Sequence, residues 1–227
     1  MNNFNNHKNI FHQQQHRNAI IIFIKNPQLG KVKTRLAATV GDKRALEIYH
    51  ILMKHTQEIT VDLATEKYLF YSDFVDENDI WANDKYQKSI QNPEPDLGQK
   101  MAFAFNETIK KQHEKVLIIG SDCLELTDKI ITDAFVQLTD NEVVIGPAHD
   151  GGYYLIGFNF KAIGEQCGEV LKQVFLNKQW SHAHVCQEAI NACEQLHLNY
   201  KKLVTLTDVD EEKDFLKTMP YTTVNAW

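Results

Sequence analysis

Val143–Gly157 reads VVIGPAHDGGYYLIG. A β-branched run ends at Gly146-Pro147, a turn follows over Ala148–Gly152, and an apolar, aromatic run resumes. Two strands therefore flank a tight turn. Its adjacent glycines are needed where φ is positive or where another group lies directly on the main chain. The turn presents one acid, Asp150. A second acid ends an earlier apolar run, Val116–Ile119, which continues into Gly120-Ser121-Asp122. If both runs are strands of one sheet, both acids stand at one of its edges.

The rest of the chain supplies that sheet. Ala19–Ile24 (AIIIFI) is a short, continuous apolar run of the kind buried in a parallel sheet. Val61–Ala64, Tyr68–Tyr71 and Tyr86–Gln91 are further candidate strands, and Leu203–Leu206 is a last one. Between them run helical patterns. One begins at Asp42, expected as its cap, and carries Ala45, Ile48, Tyr49, Leu52 and Met53. Another is capped by Asp96 and a third by Thr127. A fourth spans about Ser181–Leu196, and a short one closes the chain near Glu211–Lys217. Alternating strands and helices predict an α/β fold, a mostly parallel central sheet with helices on both faces. In such sheets ligands bind beyond the carboxyl ends of the strands.

With 227 residues, 43% hydrophobic and 24% charged, the chain is long enough for one α/β domain, expected over 18–227. Residues 1–17 read as a polar Asn/Gln/His tail, disordered or loosely docked. A net charge of −6 disfavours a general nucleic-acid binder, which would need a basic face. No apolar window is long enough for a membrane span, and no signal peptide is visible. Cys123, Cys167, Cys186 and Cys193 show no metal or redox spacing and suit a reducing cytoplasm. The oligomeric state is open, with Trp81 and Trp227 as candidate interface aromatics.

Four segments fall at predicted strand ends and carry chemistry. Lys25, Lys31, Lys33 and Arg35 crowd the stretch after the first strand, broken by Pro27 and Gly30. In an acidic chain this local reversal of sign reads as a phosphate site or as a solvated basic loop. It is not a Walker A sequence. Asp122 is a metal-binding acid or a turn residue. Asp208 and Asp210, two apart, complete a metal site or cap the last helix. Asp150 is a general base, a metal ligand, a sugar-hydroxyl acceptor or an ordinary turn acid. Trp180-Ser181-His182, before a helix, is a candidate lid or wall of an acceptor pocket, though nothing in its spacing demands either.

Taken together, FIKNPQLGKVKTRL (Phe23–Leu36), DLGQKM (Asp96–Met101), GSDCLEL (Gly120–Leu126), GPAHDGGYYLIG (Gly146–Gly157) and DVDEEKDF (Asp208–Phe215) resemble the bacterial DUF2064 family, grouped with the GT-A, nucleotide-diphospho-sugar transferase superfamily. One departure is Leu124, where the family commonly has Pro. The resemblance implies a Rossmann-like GT-A fold and a metal-dependent transferase that takes a nucleotide-activated donor and a small-molecule acceptor not identified by sequence. It implies phosphate contacts from Lys25, Gly30, Lys33, Arg35, Gly120, Gly151 and Gly152. Mg²⁺ or Mn²⁺ would sit on Asp122, Asp208 and Asp210, and Asp150 would be the acceptor-side catalytic acid. A glycosyltransferase using an NDP-sugar is the leading expectation. The alternatives are a nucleotidyltransferase that releases pyrophosphate from an NTP, and a non-catalytic nucleotide-binding module.

Overall fold

A computed structural model describes residues 17–176 and 178–218. The expected tail, apart from Arg17, and Trp227 lie outside these residues. The strands are β1 (Asn18–Ile24), β2 (Glu66–Tyr71), β3 (Gln87–Ile90), β4 (Lys115–Ile119), β5 (Val143–Pro147), β6 (Tyr153–Asn159) and β7 (Tyr200–Lys202). Among the described residues they form one sheet in the order β3-β2-β1-β4-β6-β5-β7. Neighbouring strands are parallel except where β6 pairs with β4 and β5. The Rossmann-like, mostly parallel architecture is thus present, with β6 as the single reversed strand.

Side-chain alternation sorts the strands into two cores. Ile20, Ile22 and Ile24 of β1, with Leu117 and Ile119 of β4, face one side. There they pack on α1 (Thr34–Val40), α2 (Asp42–Thr60), α4 (Asp128–Gln137) and α8 (Glu212–Thr218). Ala19, Ile21, Val116 and Ile118 face the other side and pack on α3 (Leu97–Lys110), α5 (Phe160–Ile163), α6 (Cys167–Phe175) and α7 (Val185–Gln195). Both faces of the sheet are therefore dry, which is why its central strands read as unbroken apolar runs.

The helix starts follow local chemistry. The Asp96 carboxylate accepts from Gln99 N at 2.8 Å, and the Thr127 hydroxyl accepts from Ile130 N at 3.2 Å. Asp42 is not a cap. It is the first residue of α2, and Gly41, with φ 81°, holds the cap position. α7 starts at Val185 rather than Ser181, because Ser181 is left-handed at φ 65° and cannot begin the helix. α6 was not anticipated, although Val170, Leu171, Val174 and Phe175 have helical spacing and are buried.

Two expected strands are not formed as read. Val61–Ala64 is the turn that ends α2. At the other end of the chain, β7 stops at Lys202, and Leu203–Leu206 keeps only one bridge, Leu206 to Ala148. Leu203 N and Leu206 N still donate to Ile145 O and Pro147 O, but Val204 gives its carbonyl to the Tyr154 hydroxyl instead. Trp81 is no surface aromatic. It is 1% exposed and packs edge-on against Tyr86.

The loop between β2 and β3 is held by a buried ion pair. Lys88 Nζ lies 2.8 Å from Asp79 Oδ1, with side chains 5% and 11% exposed. Lys88 also donates to Asp76 O, and the Tyr71 hydroxyl donates to Asp79 Oδ2. Lys88→Met leaves a buried carboxylate uncompensated, at a cost on the order of 3 kcal/mol. A thermal melt is expected to show Tm lowered by about 6–12 °C. A change within 1–2 °C would mean the pair is open to water.

Candidate active site

The carboxyl ends of β1 and β4 and the turn between β5 and β6 open into one cleft of about 560 Å³. It straddles the sheet edge. Ile24, Ile119 and Tyr154, which line it, belong to one core, whereas Ile118 and Tyr153 belong to the other. Of the residues singled out by sequence, Lys25, Lys33, Arg35, Gly120, Asp122, Asp150, Gly152, Asp208 and Asp210 line this cleft. Gly30 and Gly151 do not. Gly30 is an exposed loop residue with φ 74°.

Lys33 is the electrostatic centre. Its Nζ is 3.2 Å from Asp122 Oδ2 and 3.4 Å from Asp210 Oδ1, and its side chain is 9% exposed. Burial pulls its pKa down, but the Asp122 and Asp210 carboxylates outweigh burial and hold it above its ordinary value. Arg35 NH1 reaches Asp210 Oδ2 at 3.3 Å from the exposed side. The basic stretch is not all loop, since α1 begins at Thr34 and carries Arg35. Lys33 precedes that helix in a left-handed conformation, φ 46° and ψ 48°, uncommon for a residue with a side chain. The two ion pairs offset that backbone strain. Lys25 and Lys100 also line the cleft and have no ion-pair partner among the described residues.

Backbone bonds bring the acids together. Val209 N donates to Asp122 O at 2.8 Å, and Val209 is fully buried. Leu206 N donates to Pro147 O, and His149 N donates to Leu206 O. The last loop is thereby fixed across the ends of β4 and β5. Asp208 and Asp210 do not cap α8. Asp214, inside α8, instead reaches back to the residues before the helix, its carboxylate accepting from Asp210 N and Glu211 N. Asp208 Oδ1 is buried and has no hydrogen-bond partner. Burial first, then the Asp122, Asp150 and Asp210 carboxylates, push the Asp208 pKa up to about 8.

No group of three or more His, Cys, Asp or Glu among the described residues is arranged as a metal site. The donor set nevertheless has the chemistry for one. Hard carboxylate oxygens suit Mg²⁺ or Mn²⁺, and the orphaned Asp208 oxygen has coordinating capacity to spare.

The turn that carries Asp150 is tied to the segment before α7. Gly151 has φ 92°, and a Cβ there would lie 2.1 Å from Ala183 O. Cys186 N donates to Gly151 O at 2.9 Å. Gly151 N donates to Ala148 O, and Gly152 N donates to Asp150 Oδ1 at 2.8 Å. These two amides are therefore used inside the turn. Trp180, Ser181 and His182 line the cleft beside Asp150. His182 Nδ1 accepts from His184 N and its Nε2 meets Gln179 O at 3.0 Å, so both ring nitrogens are occupied.

Tyr49 was legible only as a helix-core residue. Its hydroxyl accepts from Lys25 N at 2.8 Å, donates to Lys25 O at 2.9 Å and lies 3.3 Å from Ser121 Oγ. It staples the end of β1 to the end of β4. Gln91 and Lys100 in the lining were likewise missed.

A family model described as "Uncharacterized protein conserved in bacteria (DUF2064)" matches residues 56–182. That span includes Asp96–Met101, Gly120–Leu126 and Gly146–Gly157. No curated protein matches the chain. Among solved structures, a "putative nucleotide-diphospho-sugar transferase" from Desulfovibrio desulfuricans G20 is 27% identical with a TM-score of 0.79, covering 93% of this chain and 89% of that one. A 4-diphosphocytidyl-2C-methyl-D-erythritol synthase from Anaerococcus prevotii DSM 20548 is 13% identical, TM-score 0.56, over 92% and 99% of the two chains. The manganese complex of Rv0371c from Mycobacterium tuberculosis H37Rv is 10% identical, TM-score 0.51, over 88% and 96%. The last two share the fold alone.

Asp208 gives a pH prediction. An acid whose folded pKa lies above its ordinary 3.8 destabilises the fold as pH rises between the two values, most fully above about 8. In metal-free buffer, Asp208→Asn is therefore expected to raise Tm more at about pH 8.5 than at about pH 5. Equal shifts at both pH values would show that Asp208 is not charged against its neighbours.

Proposed function

The chain belongs to the DUF2064 family, and from that premise we propose a transferase that uses a nucleotide-activated donor, with an NDP-sugar as the leading choice. One observation carries this reading. A buried lysine from the loop after β1 meets carboxylates from the β4 end and the last loop, inside a cleft at the carboxyl edge of the sheet. Such a cleft suits a ligand that carries its own phosphate charge. The similarity to the nucleotide-diphospho-sugar transferase-like structure from Desulfovibrio desulfuricans points the same way.

In this reading Lys25, Lys33 and Arg35 meet the donor phosphates. Gly120 and Gly152, in the lining, let the Asp122 and Asp150 carboxylates lie close over the main chain at the phosphate end of the cleft, whereas Gly30 and Gly151 shape the loops from outside. Asp122, Asp208 and Asp210 would hold Mg²⁺ or Mn²⁺, which would neutralise charge on the diphosphate leaving group. Asp150 keeps Oδ2 without a partner among the described residues while Oδ1 is pinned by Gly152 N. It orients the acceptor hydroxyl and takes its proton. The acceptor oxygen bonds to the anomeric carbon, and the nucleoside diphosphate leaves. Free cysteines and the absence of a membrane-crossing helix among the described residues support a place in the reducing cytoplasm.

Incubation with nucleotide sugars and with NTPs, with and without Mn²⁺, tests this by mass spectrometry of the products. A released nucleoside diphosphate is expected. Pyrophosphate would mark the nucleotidyltransferase reading instead, and binding without turnover a nucleotide-binding module. Asp150→Asn is expected to bind nucleotide within about twofold of wild type while turnover falls about 100-fold or more. Loss of both together contradicts the role given to Asp150. Asp122→Asn is expected to abolish any effect of Mn²⁺ on nucleotide affinity, measured by calorimetry.

A further inference from the structure

The end of the cleft furthest along the sheet from the last loop lies over β1 and β2, and there Gln91 is held in one orientation. It is 8% exposed, and its Nε2 donates to Ile24 O at 3.3 Å and to Phe70 O at 3.2 Å. Those carbonyls end β1 and approach the end of β2. Rotating the amide by half a turn would set its oxygen against two carbonyl oxygens, so the orientation is fixed. Gln91 Oε1 has no partner among the described residues. It is not among the buried unpartnered atoms, and Gln91 lines the cleft. A hydrogen-bond acceptor is thus displayed to the cleft from an otherwise buried side chain.

Its surroundings fit a flat heterocycle. Phe23, Pro95 and Leu97 line the same cleft, and Leu97 is 41% exposed. A large apolar side chain open inside a cleft is a surface for a ligand to cover. Lys25 follows directly on Ile24, so a base seated at Gln91 would have its phosphates led past Lys25 toward Lys33.

We propose that Gln91 Oε1 reads the nucleobase of the donor by accepting a hydrogen bond from an exocyclic amine, so that the site selects cytosine, adenine or guanine over bases that lack an amine there. This rests on the nucleotide reading above and adds the class of base. In the same pose uracil or hypoxanthine would set a carbonyl against Oε1 in place of the cytosine or adenine amine, and hypoxanthine a C–H in place of the guanine amine, leaving Oε1 unpaired in a desolvated pocket. Sites built around such a bond discriminate strongly against analogues that cannot make it.

The test is calorimetric binding to the full chain with nucleotides that differ in the base amine: CDP against UDP, and ADP and GDP against IDP. In at least one comparison the amine-bearing nucleotide is expected to bind wild type about tenfold tighter or more. Gln91→Met should bring that ratio to within about twofold, with folding checked by thermal melt. Because Gln91 also bonds two strand ends, this variant could fail to fold; the wild-type comparisons then decide alone. Equal affinity within every comparison overturns the proposal and leaves the nucleotide reading intact. So does a preference that survives Gln91→Met. If no nucleotide binds at millimolar concentration, the transferase reading falls and this inference falls with it.

Discussion

The hydrogen bond from Val209 N to Asp122 O joins the last loop to the end of the central strand. The cleft depends on it. Val209 is inserted into the core, and Asp208 and Asp210 on either side of it are left near Asp122. Four carboxylates would repel one another across so small a space. The Lys33 ammonium offsets this for Asp122 and Asp210, but Asp208 stays largely desolvated and takes the strain as a raised pKa. The charge balance of the site is thus set by a main-chain bond and one lysine rather than by any single motif.

The reversal of β6 does the complementary work. Parallel strands deliver their carboxyl ends to one edge, and a hairpin between β5 and β6 turns at that same edge. Asp150 therefore arrives at the same cleft as Gly120 although β6 itself runs away from it. Tyr49 then ties the edge together from below, binding both backbone groups of Lys25 and the Ser121 hydroxyl.

What the sequence made legible follows from how local each cause is. The runs Ala19–Ile24, Val116–Ile119 and Tyr153–Phe158 are buried on both faces, so their continuous apolarity identified them. Asp122, Asp150, Asp208 and Asp210 could be placed because strand ends converge in a parallel sheet. Lys33 was visible as a cation, but its ion pairs join positions 89 and 177 residues apart, which no local pattern encodes. Gln91 and Tyr49 were invisible as site residues for the same reason. A glutamine after an edge strand and a tyrosine on a helix face acquire their roles only from the carbonyls and hydroxyls that other segments bring to them. Val61–Ala64 and Leu203–Leu206 misled because short, partly apolar stretches also occur in turns and irregular crossings.

Gly151 has a mechanical meaning as well as a steric one. Its Cα lies so near Ala183 that no side chain fits between them, and Cys186 grips its carbonyl from the start of α7. The turn and the Trp180–His182 wall are consequently geared to each other. Neither can slide without carrying the other, so whatever presses on that wall also re-aims the Asp150 carboxylate. In the transferase reading, engagement of an acceptor and alignment of Asp150 would then be a single displacement.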